Sequence, residues 1–182
     1  MKLEKFKCIK RGKFLNNYEL TYINKAGQNK VYEMVSRGEY TDVSDVGEKT
    51  AGVIIAAFYK ERVLLIREFR MGVNNYVYSF PAGLIDAGET PIEAARRELR
   101  EETGMEITEI KTVLKPSYSC TGITDEKTVI VFCEVIGEIS ECKFADEEIC
   151  SYLFTKEEVR ALLVEKTFSS RAQAICYLWS KE

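Results

Sequence analysis

The chain has 182 residues, 46% of them hydrophobic, with 26 basic against 29 acidic side chains and a formal net charge of −3. That length suits a domain with a real core, and the near-balanced charge lacks the basic stripe of a nucleic-acid binder. With no histidine, Ser-His and Cys-His nucleophile schemes and histidine general bases are excluded, so any catalysis rests on carboxylates, metals, Lys, Tyr or Arg.

No apolar run reaches the length of about 18 residues that spans a membrane, and "MKLEKFKCIKRGKFLNN" at the N-terminus is charged throughout, unlike a signal peptide. The six cysteines (Cys8, Cys120, Cys133, Cys142, Cys150, Cys176) form no C-x-x-C pair. Zinc is therefore not expected. Reduced thiols packed as small hydrophobes in a cytoplasmic protein are.

In chain order, "YELTYINKAGQNKVYEMVSR" (18–37) reads as a hairpin around a polar turn containing Gly27. The polar stretch 40–50 is a loop and a boundary between an N-terminal β segment and the main body. "AGVIIAAF" (51–58) and "RVLLIREF" (62–69) are apolar runs of strand length around a Tyr59-Lys60-Glu61 turn. A helix follows Gly88, with Thr90 as N-cap, Pro91 first, Glu93 completing a capping box and Gly104 ending it. Ile92, Ala95 and Leu99 are its expected buried stripe. "TVIVFCEVIGEI" (128–139) is a further strand. Two later helices open on capping boxes, Thr155 with Glu158 and Ser170 with Gln173. This order describes a mixed α/β domain behind a small β extension.

The charged helix raises a physical question. Glu98, Glu101 and Glu102 share one helical turn, where like charges cost about 0.2–0.5 kcal/mol per pair. One answer is a solvated face. The other is a hard divalent cation: Glu98 and Glu102, with Glu101 at the edge, offer the oxygens that Mg²⁺ or Mn²⁺ prefers. Arg97 is expected to hold the cluster by pairing with Glu93 and Glu101. Gly83 and Gly88 would let backbone approach a ligand closely.

The stretch 83–105, "GLIDAGETPIEAARRELREETGM", resembles the Nudix box, G-x5-E-x7-R-E-U-x-E-E-x-G-U with U aliphatic, at every specified position, Met105 serving as the last U. The resemblance implies an α/β fold of the Nudix type: an α/β/α sandwich with a mixed β-sheet, preceded here by an N-terminal β-strand extension. It also implies Mg²⁺-dependent (or Mn²⁺-dependent) hydrolysis of a nucleoside diphosphate linked to another moiety. Residues 1–47 would form the extension, serving dimerisation and contacts to the substrate base. Residues 48–182 would form the hydrolase domain.

Within that family the chain is similar to the ADP-ribose/ADP-sugar pyrophosphatases, whose N-terminal strands mediate a two-fold dimer. "LIREFRMGVNNYVYSFPAGLIDAGE" is similar to their approach to the box. The resemblance implies Arg70 as a phosphate-binding residue, the Ala82 carbonyl with Glu98 and Glu102 as metal ligands, and Glu102 and Glu101 as catalytic acids. "FADEEI" (144–149) resembles the acidic loop whose Glu147 acts on the attacking water, with Glu126 as the alternative base. Phe14 and Tyr32 are candidates for the base contact. Read without the resemblance, Glu147 also suits a solvated loop acid, Arg70 a surface charge, and the two aromatics ordinary packing. The subgroup's S-P-G-like stretch is matched here by "SCTGITDE" (119–126), which has Cys120-Thr121 and no proline, while Gly122 and Glu126 fit. The expected reaction is cleavage of ADP-ribose to AMP and ribose 5-phosphate by a cytoplasmic homodimer. The alternatives are another nucleoside diphosphate derivative or a non-catalytic ADP-ribose sensor.

Overall fold

The computed structural model describes residues 1–144 and 146–181; Ala145, within the acidic stretch 144–149, and Glu182 lie outside the described residues. Chain order gives β1 (Lys2–Arg11), β2 (Asn16–Ile23), β3 (Asn29–Ser36), β4 (Thr50–Tyr59), β5 (Arg62–Arg70), β6 (Asn75–Ser79) and β7 (Ala82–Leu84). Then follow α1 (Pro91–Thr103), β8 (Glu106–Val113), β9 (Ser117–Tyr118), β10 (Lys127–Ile136), β11 (Ile149–Phe154), α2 (Lys156–Glu165) and α3 (Ser170–Lys181). These elements divide into two units, Met1–Ala51 with Pro116–Thr128, and Gly52–Lys115 with Val129–Glu182.

The first unit is built on the antiparallel sheet β1-β2-β3. Its β2–β3 turn is the expected hairpin: the Asn24 side-chain carbonyl accepts from the N–H groups of Ala26 and Gln28 at 2.8 and 3.0 Å, and Gly27 takes φ 76°. β1 falls within the expected β extension 1–47, although its lysine-rich sequence alone does not signal a strand. Register shifts at Leu3/Lys5 and Cys8/Lys10 break its period-2 pattern, yet Phe6 stacks on the buried Tyr18 at 5.0 Å. Segment 116–128 belongs to this unit. It is fastened by Tyr40, whose hydroxyl donates to Asp125 at 2.6 Å, and by Tyr32, which donates to the Gly122 carbonyl at 2.6 Å.

In the second unit the strands run β11-β5-β4-β10-β8, with β6 beside β5 and β7 beside β4. Alternation along β4 and β5 splits the core into two layers. Val53, Ile55, Ala57 and Leu64 pack with Ala94, Ala95 and Leu99 of α1. Ala56, Val63 and Leu65 pack with Val159 of α2 and Ala172 and Cys176 of α3. The result is the expected α/β/α sandwich.

Two expectations change. Ile92 is 38% exposed, and the buried stripe of α1 is Ala94, Ala95 and Leu99, continued by Glu102 and Thr103. α3 already includes Ser170, so its first-turn bond runs from the Gln173 N–H to the Ser169 carbonyl at 2.9 Å rather than through a Ser170 box. The α2 box with Thr155 and Glu158 forms as read.

Candidate active site

β7 delivers Ala82 and Gly83 to the flank of α1. A β-carbon on Gly83 would lie 1.9 Å from the Glu98 carboxyl carbon, so the glycine lets that carboxyl group rest on bare backbone in this position. Gly88 does adopt a left-handed conformation (φ 86°). It leads into the cap, where Thr90 Oγ1 accepts from the Glu93 N–H at 3.3 Å and the Glu93 carboxylate accepts from the Thr90 N–H at 2.8 Å. Gly104, at φ 76°, closes the helix.

Arg97 ties loop and helix together. Its Nε and Nη2 donate to both carboxylate oxygens of Glu89 at 3.0 and 2.9 Å, and Nη2 also donates to the Leu84 carbonyl at 2.9 Å. Nη1 donates to Glu98 at 2.7 Å and Glu101 at 3.3 Å. The expected partner Glu101 is found. The expected partner Glu93 is not, because its carboxylate is committed to the Thr90 cap. A planar guanidinium suits this work, since its fork serves several oxygens at once.

Helical periodicity turns Glu102 inward, leaving it 5% exposed. Burial pushes its acid up to about 9; the charges of Glu98, Glu68 and Glu147 add to that, while the Ala82 N–H, donating to Oε2 at 3.2 Å, opposes it. Glu98 is raised by burial first, against Arg97, with Glu101 and Glu147 adding. Glu147 is raised by burial and then by Glu68, against the Cys142 thiol and Arg70. These mutual influences define one acidic cluster: Glu68, Glu98, Glu101, Glu102 and Glu147.

The donor set fits a hard divalent cation. A buried carboxylate ringed by like charge is relieved when a cation arrives, and an all-oxygen set suits Mg²⁺ or Mn²⁺ rather than softer metals. Among the described residues no three acid or thiol side chains close on one point. Glu98 is engaged instead by Arg97, Glu68 by Arg70 and Glu102 by the Ala82 N–H.

Arg70 ends β5, its Nη1 2.7 Å from Glu68 Oε1. Glu147 sits on a loop hung from the C-terminal carbonyls of α1, which accept from Ser140 N–H (Thr103, 2.9 Å) and Lys143 N–H (Glu101, 3.0 Å). Its Oε2 accepts from the Cys142 thiol at 3.9 Å. Glu126, the alternative base, belongs to the first unit and faces Arg37 at 4.0 Å. Phe14 and Tyr32 belong there too. Phe14 is exposed beneath the Lys13 ammonium, 5.0 Å from the ring centroid. Tyr32 lines a cavity of about 360 Å³ with Tyr22, Met34, Tyr118 and Asp125.

Glu68 escaped the sequence reading. Its signal was the alternation in "RVLLIREFR": Glu68 and Arg70 share the strand face of Leu64, the residue that packs toward α1.

Layered helices around a sheet, with a carboxylate cluster presented from a strand-loop-helix unit, define a class of α/β protein by fold and chemistry. A NUDIX domain is matched over residues 48–177, and the chain belongs to the Nudix hydrolase family. It is 34% identical over 96 residues to the ADP-sugar pyrophosphatase of Mus musculus, a stretch covering 53% of this chain and 44% of that protein. Against the ADP-ribose pyrophosphatase of Bacillus subtilis (strain 168) it is 29% identical over 136 residues, 72% of this chain and 73% of that protein. The chain thus spans less than half the length of the mouse relative. A crystal structure of an ADP compounds hydrolase matches with a TM-score of 0.76 at 23% identity, over 100% of this chain and 93% of that one, a likeness of fold.

Proposed function

We propose that the protein hydrolyses the pyrophosphate of a nucleoside diphosphate sugar with Mg²⁺ or Mn²⁺, taking ADP-ribose to AMP and ribose 5-phosphate. The carrying observation is the buried Glu102 carboxyl, with Glu98 and Glu101 on the same helix of a loop-helix unit pinned by Arg97, and Glu68 of β5 and Glu147 of the loop before β11 raising its acid further. Family membership and the names of the relatives support the substrate class.

In this reading Glu98, Glu102 and the Ala82 carbonyl hold the cation, with Glu101 at the edge of the set. When bound, the ion supplies charge neutralisation at the diphosphate and acidifies water. Glu147 takes the proton from the attacking water as its oxygen bonds to phosphorus. The bridging P–O bond breaks and leaves two phosphate monoesters. Arg70 donates to the phosphates, a role suited to its guanidinium. Phe14 or Tyr32 stacks on the base. The N-terminal strands pair two copies in a cytoplasmic homodimer; no described helix is long and apolar enough to cross a membrane.

The test is incubation of the purified protein with Mg²⁺ and a panel of ADP-ribose, ADP-glucose, GDP-mannose and dinucleoside polyphosphates. Release of AMP from ADP-ribose supports the reading. Tight binding with no product supports a sensor instead, and cleavage of another member alone would move the substrate assignment, as the missing proline near Cys120 allows.

A further inference from the structure

Strand alternation sends Glu68 and Arg70 to the same face of β5, one pleat apart, at the end of the strand that carries Leu64 into the α1 layer. Glu68 lies between two strands, opposite Val77 of β6 and Ile149 of β11, so its backbone is fixed on both sides. Its side chain is 19% exposed, against 60% for Arg70. The fixed, sheltered member of the pair is the acid. The solvent-facing member is the cation.

Their contact uses one guanidinium nitrogen: Arg70 Nη1 donates to Glu68 Oε1 at 2.7 Å. Among the described residues the Arg70 guanidinium makes no other hydrogen bond or ion pair, which leaves Nη2 and Nε to donate elsewhere. Glu68 is an acid and would repel a phosphate rather than bind it. Its surroundings are Glu102 and Glu147, both of which register its charge. A long arginine side chain loses substantial rotamer freedom when a ligand fixes it. A carboxylate that fixes it beforehand removes part of that cost.

We propose that Glu68 is a positioning residue: it holds Arg70 at the edge of the acidic cluster with two nitrogens directed to the diphosphate of the substrate. This inference rests on the pyrophosphatase reading. It adds to that reading an acid outside the Nudix box, acting through Arg70 rather than on the reacting atoms.

The experiment compares wild type, Glu68→Ala, Glu68→Gln, Arg70→Ala and the double Ala variant in steady-state kinetics on ADP-ribose with Mg²⁺. Calorimetric binding of ADP-ribose is measured on the same proteins in EDTA. Glu68→Ala is expected to raise KM and the metal-free Kd about three- to tenfold with little change in kcat, the range of a partly exposed charge pair. Glu68→Gln, which keeps an acceptor oxygen, should recover part of the loss. The double variant should be no weaker than Arg70→Ala alone, because Glu68 has nothing left to position. Additive losses, or a fall in kcat with KM and metal-free Kd unchanged, would overturn the proposal. If wild type turns over no member of the substrate panel, the pyrophosphatase reading itself fails, and that outcome is visible before any variant is compared.

Discussion

The Ala82 backbone N–H donates to Glu102 Oε2 at 3.2 Å, joining strand β7 to the acidic face of α1. Among the described residues it is the one hydrogen bond to that carboxylate, and it does not offset burial, which drives the acid up to about 9. The folded protein therefore keeps a proton that the unfolded chain, with an ordinary carboxyl near 4.5, gives up. Stability from this group is fully present below about pH 4.5 and is lost as pH rises through about 9, each pKa unit being worth about 1.4 kcal/mol. Melting temperatures in EDTA should fall between pH 5 and pH 9 for wild type and fall less for Glu102→Gln. Added Mg²⁺ should restore wild type at the alkaline end and leave the variant unmoved. The same substitution should nearly abolish turnover.

Glu147 carries a different expectation. It is an exposed loop residue, and partial burial of its carboxyl, Glu68 and Glu101 raise its acid above the usual carboxylate range. A base must be ionised to accept a proton, so kcat should climb with pH through that raised value. Glu147→Gln should remove the limb and lower kcat by about 10²- to 10⁴-fold, the worth of a general base, with KM nearly unchanged. A pH-rate profile on both proteins decides it. Equal, small effects for Glu102→Gln and Glu147→Gln would contradict the scheme.

What could be read along the chain was whatever is encoded locally. The cap at Thr90, the turn at Gly88, the stop at Gly104 and the spacing of the glutamates all depend on residues within one or two turns. Glu68 depends on which face of β5 meets α1, a fact about packing. The strand β1 was hidden by its bulges, and β8 by an exposed, polar stretch with only Ile107 buried. The loop of Glu147 takes its place from carbonyls at the end of α1, some forty residues earlier in the chain. Ile92 shows the converse: a correct helical period does not say how far the sheet beneath extends.

Arg97 holds Glu89, Glu98, Glu101 and the Leu84 carbonyl in a single planar fork. Lysine has the charge but one small, strongly hydrated head, and it can satisfy only part of this set. Arg97→Lys should lower stability by about 1–2 kcal/mol, the site being partly open to solvent. It should also raise the Mg²⁺ concentration needed for half-maximal rate, because Glu89 no longer fixes the loop beside Glu98. Chemical denaturation and a Mg²⁺ titration of activity measure the two effects separately.

The glycines at 83 and 88 make opposite predictions. At Gly83 the backbone is ordinary strand, and an added methyl meets only the far end of the Glu98 side chain, 1.9–2.4 Å away. That side chain can swing aside, so Gly83→Ala should leave the fold's stability nearly intact while displacing a cation ligand. At Gly88 nothing lies within 4 Å, but φ is 86°. Gly88→Ala therefore has room and the wrong backbone, a strain of about 1–2 kcal/mol. Thermal melts in EDTA should show a drop for Gly88→Ala and little for Gly83→Ala. Mg²⁺ titrations of activity should reverse the order, with Gly83→Ala needing far more Mg²⁺ to reach half-maximal rate. A Gly83→Ala enzyme with a wild-type Mg²⁺ requirement would show that the contact between β7 and Glu98 is packing alone.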